Sequence, residues 1–127
     1  MKITRSEDLE CWKEARQLTR QVYEAIEQNH RWQKEFRLCG QLQSAAGSVV
    51  ANIGEGFVRR SNKELVQFLF IAMSSCAEVQ SHLDIALDQR YLSKETFESI
   101  YGQAGKAARF ISGFIKYLCT KQAKRTK

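Results

Sequence analysis

The side chains best suited to catalysis or metal binding are few and widely separated. The 127 residues include two histidines, His30 and His82. Glu78 precedes His82 by four residues, a spacing that puts both side chains on one helix face. Di-iron bundles need two Glu-x-x-His motifs and further glutamates, and the required pair of motifs is absent. We therefore expect Glu78 and His82 to share a hydrogen bond at a surface or interface.

Other catalytic and cofactor patterns are also missing. The Gly54–Gly56 segment lacks the lysine and the preceding strand of a phosphate-binding loop. The serines stand in no nucleophile-elbow motif and have no paired base. The sequence therefore predicts a protein that is not an enzyme, with no catalytic residue, no metal ligand and no cofactor.

The cysteines are far apart and lack the paired spacing of zinc or redox sites. Each lies in a helical pattern, and we interpret all four as small buried hydrophobic residues. They are Cys11, Cys39, Cys76 and Cys119. The start of the chain shows no signal-peptide pattern, and no run of 18 apolar residues could cross a membrane. We expect a protein of the reducing cytoplasm without a membrane partner.

The basic side chains are unevenly distributed. Twenty Lys and Arg against 14 Asp and Glu give a net charge of +6. Residues 31–63 carry +4 and residues 99–127 carry +7, whereas residues 1–30 and 64–98 are net acidic. Such one-sided basic fields attract RNA, DNA and other polyanions, although a solubilising surface with a basic tail is the alternative. The candidate nucleic-acid-binding residues are Arg59, Arg60, Lys63, Lys106, Arg109, Lys116, Lys121, Lys124, Arg125 and Lys127.

Four stretches of the chain show apolar residues at steps of three and four, the period of an amphipathic helix. Proline is absent, so no stretch is interrupted. Ser61 and Glu64 form a capping box before the third stretch, and Ser93 can cap the fourth helix. Short connections make sequence neighbours antiparallel. The sequence predicts an all-α, up-down-up-down antiparallel four-helix bundle over residues 1–120, followed by a frayed basic tail over residues 121–127.

The last two predicted helices carry more apolar residues than one bundle seam needs. A second stripe follows each main stripe, and large apolar side chains left in water form adhesive patches. A homo-oligomer interface would cover them, and a broad core face is the alternative. These residues are Val66, Phe70, Met73 and Ala77 in the third helix, and Phe110, Phe114 and Tyr117 in the fourth.

One segment has a distinctive order of motifs. The helix end Asn52–Gly56 reads Asn-Ile-Gly-Glu-Gly, a basic Arg59–Glu64 junction follows, and then comes the apolar run Phe68–Ala72. The opening Asp8-Leu9-x-x-Trp12-x-x-Ala15 belongs to the same pattern. This arrangement resembles the four-helix bundle family of 23S rRNA intervening-sequence proteins, which is related to the accessory proteins of diversity-generating retroelements. The resemblance covers residues 8–92 well and the fourth helix loosely.

The resemblance implies a homopentameric bundle without catalytic activity, with a nucleic-acid-binding relative. The sequence departs from the family pattern at Gln43 and Ser44, where two arginines are frequent, and at Met73–Ser75, where Arg-Gly-Ser is frequent. Several basic positions are therefore neutral, which weakens an RNA-binding inference made through them.

Asn52 and Glu55 share one helix face beside small residues, and polar groups buried there need partners. Glu55 is expected to pair with an arginine such as Arg59 at i+4, or to cap the neighbouring helix. A polar ring facing an oligomer axis is the functional alternative. Gly56, with Gly54, is expected to weaken the helix and help it end.

Three functions are compatible with these features. The first is a homo-oligomeric bundle that binds RNA or DNA through its basic surfaces. The alternative is a scaffold that recruits a protein partner through the apolar or acidic face of the third helix, with no direct contact to nucleic acid. The least supported is a bundle enzyme or metal carrier.

Overall fold

The computed structural model describes residues 9–125, with the side chains of residues 9–120. Within that range the chain is all helical, without strands, as expected from the sequence. The helices are α1 (Glu10–Glu27), α2 (His30–Gln33), α3 (Phe36–Phe57), α4 (Asn62–Asp88) and α5 (Lys94–Arg125). Four are long, as predicted, and the one-turn α2 is an addition that the periodicity did not indicate.

The four long helices form a closed bundle in which each packs against two others. Helix α1 contacts α3 and α5, and α4 contacts the same two helices from the opposite side. Gln21 in α1 donates to the hydroxyl of Ser99 at 3.2 Å, and Gln103 donates to the carbonyl of Glu14 at 2.9 Å. Because residue numbers rise in α1 as they fall in α5, the first and last helices are antiparallel neighbours.

The core consists of the apolar stripes seen in the sequence. Each long helix contributes fully buried aliphatic side chains, among them Leu18, Leu42, Leu69 and Ile111. Burying one such side chain contributes roughly 1.5–3 kcal/mol of hydrophobic free energy. The stripes therefore fix which face of each helix points inward.

Two helix starts are capped as the sequence predicted. The Ser61 hydroxyl accepts a hydrogen bond from the Glu64 amide at 3.2 Å, and the Ser93 hydroxyl accepts one from the Thr96 amide at 3.1 Å. These bonds satisfy amides that have no partner within the helix. The Ser61 cap places the start of α4 directly after Arg59 and Arg60.

The bundle has two halves along its axis. The half named the junction end comprises residues 9–18, 47–76 and 101–120 and contains the α3–α4 turn. The half named the α2 end comprises residues 19–46 and 77–100 and contains α2 and the α4–α5 turn.

The α2 end is closed by side chains that reach from one connection to the other. Asn29 caps α2, because its side-chain oxygen accepts a hydrogen bond from the Trp32 amide at 3.0 Å. Its side-chain nitrogen donates a hydrogen bond to the carbonyl of Tyr91. Trp32 is fully buried and stacks parallel to Tyr91, with ring centroids 6.0 Å apart. This bridge joins the α1–α3 connection to the α4–α5 turn.

Arg31 completes that closure. Its guanidinium donates to the carbonyls of Gln89 and Arg90 at 2.9 and 3.1 Å and lies 4.5 Å from the centre of the Tyr91 ring. Arg90 has a φ of 62°, a left-handed conformation that a non-glycine residue adopts only where its surroundings hold it. The hydrogen bonds from Arg31 hold the carbonyls of Gln89 and Arg90, on the two sides of this left-handed residue.

The cysteine prediction is confirmed for three residues and wrong for the fourth. Cys11, Cys39 and Cys76 are buried, and burial raises the pKa of Cys11 to about 11 and of Cys76 to about 12. Burial also raises the pKa of Cys39, whose thiol donates to the carbonyl of Trp32 at 2.8 Å. Cys119 is exposed, because it follows the buried Leu118 by one residue and so lies off the apolar stripe.

None of the described helices has the length and apolar character needed to span a membrane. The predicted tail over residues 121–127 has no described side chains, so the candidate residues Lys121, Lys124, Arg125 and Lys127 lie outside the described side chains. Their role stays a prediction.

Candidate nucleic-acid interface

The α3–α4 turn depends on a close approach between two helices. A Cβ atom placed on Gly56 would lie 2.8 Å from the Cβ of Phe68 and 2.9 Å from Cδ1 of Leu65, closer than real Cβ contacts. Helix α3 runs through Gly54 and Gly56 and ends at Phe57. The expected helix-ending role of Gly56 is therefore secondary to a packing role, because it lets α4 start directly against α3.

Arg59 lies on the outer surface of this turn, beside Glu55 and Phe68. Its guanidinium is 3.7 Å from a Glu55 carboxylate oxygen and 4.8 Å from the centre of the Phe68 ring. The predicted contact between Glu55 and Arg59 is thus present. Both side chains are exposed, so the pair contributes little stability and mainly orients the arginine.

Arg60 and Lys63 follow in the same turn and in the first turn of α4. Both are exposed, and among the ion pairs of the described residues neither has a carboxylate partner. An arginine fork and a lysine ammonium without acidic partners can both bind phosphate oxygens.

The three candidate residues of α5 with described side chains differ in how they are used. Lys106 lies 3.5 Å from a Glu14 carboxylate oxygen, which also accepts a hydrogen bond from Gln103 at 2.8 Å. Arg109 and Lys116 are exposed further along the helix. Lys106 therefore helps to join α5 to α1, while the other two cations face solvent.

The course of the chain brings these basic segments to one half of the molecule. Helix α3 descends to the junction end, α4 rises from it, and α5 returns to it, so residues 59–63 and 106–120 share that end. The junction end carries eight basic and four acidic residues, whereas the α2 end carries six basic and eight acidic ones. The protein therefore has an electrical polarity along its axis that no single segment of sequence displays.

Asn52 has its partners inside the bundle. Its amide donates to the carbonyl and the hydroxyl of Ser48 at 2.8 and 2.9 Å. The Ser48 hydroxyl lies 2.9 Å from that of Ser75, a buried residue of α4. This polar chain crosses the α3–α4 seam, which favours the structural role of Asn52 over a ring facing an axis.

The predicted oligomer-interface residues fall into two groups. Val66, Met73 and Phe114 are half-buried and pack against the core of their own chain, as the broad-core alternative anticipated. The other four are exposed: Ala77, Phe70 (54%), Phe110 (40%) and Tyr117 (57%). Of the predicted interface residues, this second group therefore offers the larger exposed apolar surface to another molecule.

An apolar groove of about 600 Å³ lies between α5 and the start of α1. Three predicted interface residues of α5 line it together with residues of α1 that the sequence pattern does not connect with them. Its lining residues are Leu9, Glu10, Cys11, Arg109, Phe110, Gly113, Phe114 and Tyr117. The antiparallel pairing of the first and last helices, which periodicity alone does not show, creates this groove.

A second groove, of about 530 Å³, lies between α1 and α3 and is here named the α1 groove. It is lined by Trp12, Arg16, Thr19, Arg20, Tyr23, Gly47, Val50 and Ala51. None of its α1 members is among the nucleic-acid-binding residues predicted from the sequence, because residues 1–30 are net acidic as a block. Their spacing in the sequence could have indicated this surface, since it places two aromatic and two basic residues on one helix face.

The Glu78–His82 contact expected from the sequence is present, with a carboxylate oxygen 3.5 Å from Nε2 of His82. Among the described residues, no group of three or more His, Cys, Asp or Glu side chains lies close enough to hold a metal ion.

Comparisons with known proteins agree on the fold. The family model described as 23S rRNA-intervening sequence protein matches residues 7–113. A crystal structure of a protein with unknown function from the S23 ribosomal protein family of Bacteroides thetaiotaomicron is similar with a TM-score of 0.75. The two chains are 22% identical, and the match covers 84% of this chain and 98% of that one, a likeness that shows the fold alone. No curated protein matches this chain in sequence.

Proposed function

Because the chain belongs to the 23S rRNA-intervening sequence protein family, we propose that it is a non-enzymatic homo-oligomer that binds RNA or other nucleic acid through its junction end. The contacts would be made mainly to phosphates and would be largely independent of sequence. In this proposal Arg60 and Lys63 are the principal contacts, with Arg59, Arg109 and Lys116 beside them.

The observation that supports this proposal most directly is the separation of charge along the bundle axis. The junction end has twice as many basic as acidic residues, while the α2 end has an acidic excess. Arg60 and Lys63 are exposed there without an acidic partner among the described residues. A concentrated cationic surface of this kind attracts polyanions and makes their binding strongly salt-dependent.

Self-association would strengthen that attraction. The exposed Phe70, Phe110 and Tyr117 supply apolar area that a closed oligomer would cover. Five copies, the number that the family resemblance implies, would bring a net charge of about +30 together from +6 each. Many weak phosphate contacts would then act on one nucleic-acid molecule.

One observation favours the second candidate, a scaffold for a protein partner. The groove between α5 and the start of α1 is mostly apolar and has the volume of a typical ligand site. If a protein partner occupies this groove, the basic junction end would serve solubility rather than recognition.

The proposed function is tested by measuring RNA binding against salt for two matched triple variants. Arg59→Gln/Arg60→Gln/Lys63→Gln removes three charges from the junction end, and Lys34→Gln/Arg37→Gln/Lys94→Gln removes three from the α2 end. Fluorescence anisotropy with labelled duplex and single-stranded RNA gives the affinity and the slope of log K against log salt. The junction variant is expected to bind at least about tenfold more weakly and with a shallower slope.

Equal weakening by both triple variants would show that only the overall charge matters and would contradict the proposal. Light scattering tests the oligomer separately, and a mass several times the 14.6 kDa of one chain is expected at micromolar concentration. A monomeric mass would remove the homo-oligomer from the proposal. Stoichiometric capture of one protein without nucleic acid would support the scaffold instead.

A further inference from the structure

We infer that the α1 groove is a binding site for single-stranded nucleic acid, in which bases stack on aromatic side chains of α1 while two arginines hold the phosphates. This inference deepens the proposed function and rests on it, because it assigns a strand type and a second surface to the same nucleic-acid binding. The surface is separate from the basic α3–α4 turn.

The groove has its aromatic side chains in line. Trp12 and Tyr23 are eleven residues apart, so they lie about 20° apart around the helix axis and about 16 Å apart along it. Tyr23 is 50% exposed, and Trp12 is half-buried with the rest of its ring lining the groove. Two flat rings at that separation can flank about four stacked nucleotides.

Arg16 and Arg20 lie on the same face between the two rings. The Arg16 guanidinium is 5.6 Å from the centre of the Trp12 ring, a cation–π contact that places its charge next to this ring. Both arginines are exposed, and among the described residues neither forms an ion pair. The residues that line the groove include no Asp or Glu, so the local field favours an anion.

The floor of the groove is open because α3 presents small residues to it. A Cβ atom added to Gly47 would have no other heavy atom within 4 Å, and Val50 and Ala51 continue the same surface. The hydroxyl of Thr19 donates to the carbonyls of Ala15 and Ala46 at 3.0 and 3.1 Å, which ties α1 to α3 at the bottom. The groove is therefore preformed.

These features favour a single strand over a duplex. Aromatic rings can stack only on bases whose faces are exposed, and in a duplex those faces are covered. A duplex would engage the arginines alone. A preformed groove in which basic residues lie between aromatic rings is suited to binding single strands with little sequence preference.

The test compares two groove variants with the native chain by fluorescence anisotropy. The probes are a labelled single-stranded RNA of about ten nucleotides, the DNA strand of the same sequence and the corresponding RNA duplex. Tyr23→Ala is expected to weaken single-strand binding about tenfold and duplex binding by less than about twofold. Gly47→Leu fills the floor of the groove and is expected to weaken single-strand binding similarly. Comparing the RNA and DNA strands shows whether the groove distinguishes RNA from DNA.

Each groove variant has a matched control. Gly40→Leu adds the same side chain at another α3 glycine with no heavy atom within 4 Å of an added Cβ, outside the groove. Tyr23→Phe keeps the ring and is expected to bind as the native chain does. Arg16→Gln/Arg20→Gln is compared with Lys34→Gln/Arg37→Gln, which removes equal charge elsewhere, and circular dichroism confirms that every variant is folded.

The outcomes separate this inference from the proposed function. Loss of single-strand binding in folded groove variants, with duplex binding kept, supports the site. Native single-strand affinity in Tyr23→Ala and Gly47→Leu overturns it, while the loss of binding in the Arg59, Arg60 and Lys63 triple variant would leave the proposed function in place. Absence of any nucleic-acid binding by the native chain would reject both.

Discussion

The chain connections at the two ends of the bundle use arginine in opposite ways. At the α2 end, Arg31 donates to two backbone carbonyls and lies over the ring of Tyr91, so its charge is committed to closing the fold. At the junction end, Arg60 and Lys63 are exposed without a partner among the described residues. The amino-acid composition does not distinguish these cations. Of the three, only Arg60 and Lys63 remain available to an external anion.

The difference follows from how each end is joined. The α2 end has a longer connection that inserts Trp32 and fastens two chain segments through side chains. The junction end needs only four residues between α3 and α4, because Gly56 lets the helices meet directly. Where the helices meet through their backbones, the side chains of the turn can face solvent. Where side chains close the connection, those side chains are already engaged in contacts within the chain.

The largest expected effect is at the α2 end. Trp32→Ala should destabilise the protein by about 3–5 kcal/mol, because it removes a fully buried ring and its stack on Tyr91. Phe68→Ala, at the half-buried ring beneath Arg59, should cost less. Urea unfolding followed by circular dichroism measures both, and an equal loss at the two positions would break the contrast between the ends.

The close approach at the junction end gives the next effect. Gly56→Ala should lower the free energy of unfolding by about 1–3 kcal/mol, since the added methyl group would meet Phe68 and Leu65. Gly40→Ala is the control, and there the open surroundings predict a gain of about 0.5–1 kcal/mol from helix propensity. If both substitutions stabilise the protein, then the two helices do not need this glycine.

The two helix caps provide a smaller contrast. Asn29→Ala should cost about 1–2 kcal/mol, because it removes both the cap of α2 and the bond to the Tyr91 carbonyl. Ser61→Ala removes one exposed capping bond and should cost about 0.5–1 kcal/mol. Thermal unfolding of the two variants compares them, and a larger loss for Ser61→Ala would reverse the proposed order.

The smallest expected effects on stability distinguish Arg31 at the α2 end from Arg60 at the junction end. Arg31→Gln should cost about 1 kcal/mol of stability and leave RNA affinity unchanged. Arg60→Gln should change stability by less than about 0.5 kcal/mol and weaken RNA binding. Measuring unfolding and anisotropy on the same samples checks both, and weaker RNA binding by folded Arg31→Gln would show that the α1–α3 connection also contacts the ligand.

Much of the fold could be predicted because it depends on local patterns. The apolar stripes indicate the four long helices, and Ser61 and Ser93 mark two of the helix starts, because a capping bond spans only three residues. The motif over Asn52–Glu64 indicates the family, because its residues are close together in the chain. Cys119 was misassigned because one residue of helical rotation separates an inward position from an outward one.

The sites depend on contacts between distant residues. The α1 groove joins residues 12–23 to residues 47–51, and the apolar groove joins α5 to the start of α1. Of the predicted interface residues, Val66, Met73 and Phe114 pack on their own core, since periodicity shows that a face is apolar but not what covers it.

The sequence by itself determined the helices, their order, the inward faces and the family, because periodicity, capping and motif spacing act over a few neighbouring residues. Tertiary structure alone decided that Trp32 and Arg31 would close one end, that Gly56 would serve contact rather than helix termination, and that scattered cations would collect at the other end. Those outcomes depend on which helices become neighbours, and that is settled by the packing of the whole chain.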